Sequence, residues 1–81
     1  MTDLEDLLSD GFWVECNGIV CVRHKTQMKA NGYPVVGFLL DQQPVVYVGN
    51  MWSFIEDGEM PTETREYPTF QAMLDDGWYI D

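Results

Sequence analysis

Basic residues are scarce in this chain: four Lys and Arg stand against fourteen Asp and Glu, and the formal net charge is -10 at pH 7. A surface this negative repels phosphates, which excludes direct binding to nucleic acid or to an anionic membrane as the main activity. Three of the bases, Arg23, Lys25 and Lys29, lie within seven residues, so almost all of the remaining chain is acidic. The expected partner is therefore a basic protein or a nucleic-acid-binding protein.

Long hydrophobic runs are also missing. No apolar stretch approaches the roughly 20 residues that span a bilayer, and no basic-then-apolar N-terminal segment indicates a signal peptide. We therefore expect a cytoplasmic protein. Aromatic residues are plentiful, with three Trp, four Tyr and four Phe, and they supply enough core material for residues 1–81 to fold as a single domain.

Cysteine and histidine are too few for a familiar catalytic or metal centre. Cys16, Cys21 and His24 have C-x4-C-x2-H spacing, but the usual C-x2-C and H-x3-H pairs are absent, so no metal site is expected. His24 lies between Arg23 and Lys25, where a solvated histidine at a strand end is a better interpretation than a general base. The two thiols are predicted to be free and buried. With no glycine-rich phosphate loop either, we expect neither an enzyme nor a cofactor.

The dipeptide Asn17-Gly18 lies between two β-prone runs, which predicts a hairpin with a strand on each side of the turn. Side chains alternate along such strands. The face directed at the core would carry Phe12, Val14, Cys16, Ile19 and Cys21. The opposite face would carry Trp13, Glu15, Val20, Val22 and His24. Because this second face is also apolar, we expect another element or a partner to cover it.

The sheet is predicted to continue as a four-stranded antiparallel meander. Asn31-Gly32 precedes a strand over 33–40, and a turn over 41–44 separates it from a strand over 45–48. The segment 51–55 fits either a short edge strand or one helical turn, and we favour the strand.

The two ends of the chain share a pattern of apolar residues at helical spacing, a glycine and a short β-prone run. The N-terminal copy consists of the cap Thr2, then Leu4, Leu7, Leu8 and Gly11. The C-terminal copy opens at Pro68-Thr69 and continues with Phe70, Met73, Leu74 and Gly77. We therefore predict an α+β fold: a four-stranded antiparallel meander flanked by two short helix-Gly-strand units, with about five strands and two helices. Convergent packing is a better interpretation of the repeat than duplication.

Trp13 and Tyr79 occupy equivalent places in the two end units and are predicted to point outward, whereas Trp78 and Ile80 point inward. Acidic residues flank both rings: Asp10, Glu15, Asp75, Asp76 and Asp81. Aromatic rings surrounded by charge are typical of protein-binding hot spots, because the rings supply affinity and the acids attract a basic partner. The alternative is that both rings pack against neighbouring elements of the fold.

The leading functional hypothesis is a small acidic module that occupies a basic surface of another macromolecule. It could act as a nucleic-acid mimic, as phage-encoded inhibitors of host defence do, or as an immunity protein that neutralises a toxin. The alternative is a structural or accessory protein that homodimerises through its sheet and has no inhibitory role.

Overall fold

The computed structural model describes residues 2–81, which form five strands and four short helices. The strands are β1 (Ile19–Met28), β2 (Pro34–Leu40), β3 (Val45–Val48), β4 (Thr64–Glu66) and β5 (Trp78–Ile80). The helices are α1 (Asp3–Leu8), α2 (Asp10–Glu15), α3 (Met51–Asp57) and α4 (Phe70–Asp75). Within residues 2–81, no helix is both long and apolar enough to cross a membrane.

All strand pairs are antiparallel, and the strand order is β4-β3-β2-β1-β5. The first four strands follow one another as a meander, and β5 returns from the C-terminus to pair with the other edge of β1. The predicted α+β class and antiparallel meander are confirmed. The fold has four helices, and the strand predicted within 11–16 is replaced by α2.

Helices α1, α2 and α4 pack on one face of the sheet, and together we call them the helical layer. The burial of β1 alternates along the strand, as expected when one face meets a core. The core between the sheet and the helical layer consists of Leu7, Trp13, Val20, Val22, Leu39, Val46, Phe70, Met73 and Trp78. This arrangement gives the three helices a shared apolar surface that none could bury alone.

The opposite face of the sheet, which we call the outer face, meets only α3 among the helices. The ring of Phe54 in α3 stacks on Phe38 with centroids 5.4 Å apart, and Phe38 stacks on Tyr47 at 5.5 Å. No residue of α3 is fully buried, and Trp52 is 58% exposed. The outer face is therefore covered more thinly than the inner one.

Side-chain oxygens cap the first N–H groups of three helices. Thr2 Oγ1 accepts a hydrogen bond from Glu5 N–H (3.2 Å), and Thr69 Oγ1 accepts one from Ala72 N–H (3.1 Å), so both predicted helix starts are confirmed. Asn50 caps α3 in the same way, with its side chain accepting from Trp52 N–H at 2.8 Å. The strand favoured for 51–55 is therefore wrong: an Asx side chain that binds the first free N–H groups starts a helix instead.

The predicted hairpin at Asn17-Gly18 is wrong because these residues end α2. Gly18 N–H donates to Trp13 O (2.8 Å), and Asn17 N–H donates to Val14 O (3.1 Å), which is the paired bonding of a Schellman motif. Asn17 has φ of 57° and Gly18 has φ of 77°. Both a type I′ turn and this helix end require left-handed backbone, so Asn-Gly serves either purpose.

Two consequences follow for the first segment. Gly11 lies inside α2 rather than ending a helix. Val20 and Val22 point into the core and are 2% and 0% exposed, so the outward orientation predicted for them is wrong. The face of β1 that meets the core is opposite to the predicted one, because the helical layer covers the side of the sheet that carries Val20 and Val22.

His24 is buried at 2% exposure, so the prediction of a solvated histidine is wrong. Its Nδ1 accepts hydrogen bonds from the N–H groups of Thr26 (3.1 Å) and Gln27 (3.0 Å). Since Nδ1 is an acceptor, the ring proton lies on Nε2, which donates to Asp76 O at 2.8 Å. His24 thus satisfies the backbone of a bulge in β1, where the pairing with β2 shifts register.

The two cysteines lie on opposite sides of the sheet, which differs from the predicted shared face. Cys16 packs against the core beneath the helical layer, and Cys21 lies on the outer face opposite Phe38. Both thiols are free.

Candidate functional site

Trp13 is part of the core, and the prediction that its ring points outward is wrong. It is 4% exposed, its Nε1 donates to Leu7 O at 2.8 Å, and its ring lies 6.1 Å from that of Phe70. The helical geometry of α2 turns the indole toward the sheet, while the neighbouring Val14 is 76% exposed. The apolar side chain available to a partner on this helix is therefore Val14, which had been predicted to be buried.

Tyr79 and Asp81 lie on the outer face, opposite the helical layer. Tyr79 is partly buried and pairs with Arg23 across β5 and β1. Asp81 Oδ2 accepts from Arg23 Nη2 at 3.0 Å and lies 3.9 Å from Cys21 Sγ. Burial raises the pKa of the Cys21 thiol, as does the Asp81 carboxylate, while Arg23 lowers it in part. The two end units thus present different surfaces of the molecule.

The helical layer carries half of the carboxylates in the chain. They are Asp3, Glu5, Asp6, Asp10, Glu15, Asp75 and Asp76. Neither Lys nor Arg occurs in α1, α2 or α4. This layer combines four of the predicted acidic site residues, and its negative charge is not offset by bases on its own helices.

Arg65 reaches the inner face of the sheet, because β4 places it opposite Val46. Its Nη2 donates to Glu63 Oε2 at 3.1 Å, and its guanidinium carbon lies 5.7 Å from the ring centroid of Trp78. Its Nη1 also donates to Gln27 Oε1 of β1 at 2.5 Å. Arg65 therefore interacts with Glu63 just before its own strand, with β1 and with the core, rather than with the carboxylates of the helical layer.

Two of the acidic residues in the layer also have structural roles. Asp3 Oδ2 accepts from Ile80 N–H at 3.0 Å, on the side of β5 that faces away from β1. Asp76 Oδ2 accepts from Tyr67 Oη at 2.6 Å, and Tyr67 Oη accepts from Trp78 Nε1 at 3.0 Å. Burial raises the pKa of Tyr67, and the hydrogen bond to Asp76 raises it further. Glu5, Asp10, Glu15 and Asp75 are exposed carboxylates of the same layer.

A groove of about 420 Å³ lies between α2 and the turn that follows β2, and we call it the α2 groove. The surface exposed inside the groove is mostly apolar. The residues that line it are Asp10, Trp13, Val14, Asn17, Gly18, Asp41 and Gln42. Asp41 and Gln42 have φ of 53° and 55°, and Gln43 N–H closes the turn on Leu40 O at 3.1 Å. The groove therefore joins two predicted site residues, Asp10 and Trp13, to a turn that had not been assigned a role.

The sequence did contain a signal for the helical form of α2. Phe12, Trp13 and Cys16 have the spacing i, i+1 and i+4, which places them on one face of a helix and leaves Val14 on the other. No comparable signal marks Asp41, because its position beside α2 depends on how the β2–β3 turn approaches the helix.

Both ring nitrogens of His24 are engaged by backbone groups, and no cluster of three metal-ligating side chains occurs within residues 2–81. Comparison of the chain with protein-family models, with curated proteins and with solved structures finds no match.

Proposed function

We propose that this protein is an acidic binding module that occupies a basic surface of a partner protein through its helical layer. The observation that carries the proposal is the concentration of seven carboxylates on α1, α2 and α4, counting Asp76 at the C-cap of α4, with no base on those helices. A field of one sign over one face accelerates encounter with an oppositely charged surface and disfavours other partners. The proposal includes the cytoplasmic location that the sequence predicts.

Apolar contact area on the same layer supports the proposal. Leu8 and Val14 are 61% and 76% exposed, and both lie on the helices that carry the acids. Charges at the rim of an interface mainly set its on-rate, whereas desolvated apolar side chains supply more of its affinity. In this proposal, Val14 and Leu8 take the role that the sequence had suggested for Trp13.

Two triple variants with the same change in net charge test the proposal. The first removes three exposed carboxylates of the helical layer by Glu5→Gln, Glu15→Gln and Asp75→Asn. The second removes three exposed carboxylates in and after α3 by Glu56→Gln, Asp57→Asn and Glu59→Gln. Each variant and the wild type would be immobilised and used to capture proteins from a lysate of the source cell, with elution in salt steps.

We expect the wild type and the α3 variant to capture the same basic protein, and the helical-layer variant to lose it. We expect the partner to begin to elute well below about 0.5 M salt. At that ionic strength, the attraction between exposed charges is screened within a few ångströms. Equal loss of capture in both variants would mean that total charge matters and that the helical layer has no special role. Capture that survives in both variants would contradict the proposal.

A nucleic-acid mimic and an immunity protein are distinguished by whether DNA competes with the protein for its partner. If the carboxylates imitate a phosphate backbone, duplex DNA should displace the protein from its captured partner. If the protein is an immunity partner of a toxin, DNA should displace it only when the toxin acts on nucleic acid, and cells that express the toxin should survive only when they also express this protein.

Homodimerisation through the sheet is the second candidate, and the thin cover of the outer face favours it. Ile19, Leu40 and Tyr79 are partly exposed there, while α3 reaches the face through Phe54 against Phe38. Sedimentation at two protein concentrations tests this candidate. A mass that increases with concentration in the wild type, but stays monomeric in Tyr79→Glu, would support it, and a monomer at both concentrations would exclude it.

A further inference from the structure

The α2 groove combines an apolar floor with carboxylates that have no partner in the described part of the chain. Trp13 and Val14 supply apolar surface, and Asp10 and Asp41 supply charge. Neither carboxylate forms a salt bridge or accepts a side-chain hydrogen bond within residues 2–81. An uncompensated pair of acids beside exposed apolar surface favours an occupant that is itself apolar along its length and cationic at its end.

The walls of the groove are tied to one another before any partner binds. Asp41 N–H donates to Gly18 O at 3.3 Å, which connects the turn to the end of α2. Gln42 Nε2 donates to Leu7 O at 3.5 Å, and the same carbonyl accepts from Trp13 Nε1. A site whose walls are already linked loses little conformational freedom on binding, so even a single side chain can be held there.

The four basic side chains, all within residues 2–81, do not line the groove. Arg23 pairs with Asp81 on the outer face, and Arg65 pairs with Glu63. Lys25 lines a different cleft, formed with residues of α1, α4 and β5, and Lys29 lies past the end of β1 near the Asn31-Gly32 turn. No basic side chain of residues 2–81 therefore complements Asp10 and Asp41, which leaves room for a cation from another molecule.

We infer that the α2 groove binds one arginine or lysine side chain from the partner, with its aliphatic stem against Trp13 and Val14 and its charged end beside Asp10 and Asp41. The inference rests on the proposed function and adds the anchor residue that the partner would contribute. It also explains why Val14 is left exposed: an aliphatic stem covers it in the complex.

N-acetyl-argininamide is the probe, because it carries one arginine side chain without other charges. N-acetyl-citrullinamide is the matched control, since citrulline has nearly the same shape but no charge. Each would be titrated into the ¹⁵N-labelled full chain, with binding followed from the backbone amides of Asn17, Gly18 and Gln42. We expect saturable shifts with the arginine probe in about the millimolar range, and much smaller shifts with citrulline.

Variants then locate the charge. Asp41→Asn is suited to this position because asparagine tolerates the left-handed backbone found there. We expect Asp41→Asn and Asp10→Asn each to weaken binding of the probe about two- to fivefold, which is typical of an exposed ion pair. Glu56→Gln removes an equally exposed charge from α3 and is expected to leave the affinity unchanged.

Three results would overturn the inference: equal shifts with citrulline, shifts spread over every acidic surface, or identical affinities in Asp41→Asn and Glu56→Gln. The capture experiment separates this failure from failure of the proposed function, because its helical-layer variant leaves Asp10 and Asp41 intact. Loss of capture in that variant without any probe binding would keep the function and exclude the groove. Probe binding with undiminished capture in that variant would exclude the function and keep the groove.

Discussion

Two segments with nearly the same order of residue types, 8–15 and 74–81, adopt different structures at the two ends of the chain. The C-terminal segment ends α4, turns at Gly77 and continues as β5. The N-terminal segment bends after α1 at Ser9 and continues as a second helix, α2. Local sequence therefore left both outcomes open, and the neighbours of each segment decided between them.

The decisive neighbour is β1, because it has only two edges. One edge pairs with β2 and the other with β5, so the strand predicted before Asn17 has no edge of β1 to join. As α2, the N-terminal segment satisfies its backbone internally and places Trp13 over the core. The glycines reflect this difference: Gly77 has φ of +115°, whereas Gly11 lies within a helix.

The sharpest test compares Trp13 with Tyr79, which occupy equivalent places in the two segments. We expect Trp13→Ala to lower the free energy of unfolding by about 3–5 kcal/mol, because it empties a buried aromatic site. For a domain of this size that loss leaves little stability. Tyr79→Ala should cost about 1 kcal/mol, because the ring is only partly buried.

The free energy of unfolding of both variants would be measured by urea denaturation, with circular dichroism as the signal. Similar losses in the two would mean that the segments are packed alike, which would contradict the different burial of the two rings.

We expect Gly77→Ala to have the next largest effect on the free energy of unfolding, because His24 lies directly against Gly77. A Cβ at this position would lie 2.6 Å from His24 Cε1, in a backbone conformation that alanine rarely adopts. We expect a loss of about 2–4 kcal/mol. Gly58→Ala is the matched control, since Gly58 has φ of +70° but nothing within 4 Å of the added Cβ, and it should cost only about 1 kcal/mol.

Equal decreases in melting temperature for Gly77→Ala and Gly58→Ala would show that backbone strain explains the loss of stability in both variants. The contact between His24 and the α4–β5 turn would then have no part in forcing the C-terminal segment into a strand.

Tyr67 tests the polar contacts that hold β5 in place. Tyr67→Phe removes the acceptor for Trp78 Nε1 and the donor to Asp76, and we expect it to cost about 1–2 kcal/mol at pH 7. The wild type should also lose stability as the solution becomes alkaline. The pKa of Tyr67 in the fold lies above its ordinary value of 10.0. The unfolded chain therefore releases this proton first, and the stabilisation present below about pH 10 is lost as pH rises through the folded value.

The stability of the wild type and of Tyr67→Phe would be compared by urea denaturation from about pH 8 to pH 11, around the ordinary range for tyrosine. The Cys21 thiol, whose pKa is raised above its ordinary value, is present in both proteins. The difference in stability between the two proteins therefore reports the ionisation of Tyr67. Parallel curves would mean that the phenol contributes nothing to the alkaline loss.

The same two segments show how far sequence reasoning reaches. Caps and apolar spacing predicted α1, α4 and β5, because the side chains involved act on backbone groups within a few residues. Asn17-Gly18 was misassigned because left-handed backbone serves a helix end as well as a hairpin. The converse occurs at Asp41-Gln42, where two residues other than glycine adopt left-handed backbone in a turn between strands.

The candidate site was predicted only in part, for a related reason. Asp10 and Glu15 could be proposed from the acidic composition around α2, and they lie on the helical layer. The exposure of Val14 depends on whether 12–16 is a helix or a strand, and the role of Asp41 depends on a turn that is distant in sequence. Neither could be obtained without the arrangement of β1 between β2 and β5.

Gly11→Ala gives the smallest effect and the opposite sign to Gly77→Ala. A Cβ on Gly11 would have Ser9 Oγ as its nearest neighbour, at 3.8 Å, and alanine is favoured over glycine within a helix. We expect the free energy of unfolding to rise by about 0.5–1 kcal/mol, measured as a higher urea midpoint with an unchanged slope. If Gly11→Ala instead destabilised the protein as Gly77→Ala does, the N-terminal segment would need left-handed backbone at its glycine. The two segments would then share the helix-Gly-strand form that their sequences suggest, and α2 would be the wrong description of residues 10–15.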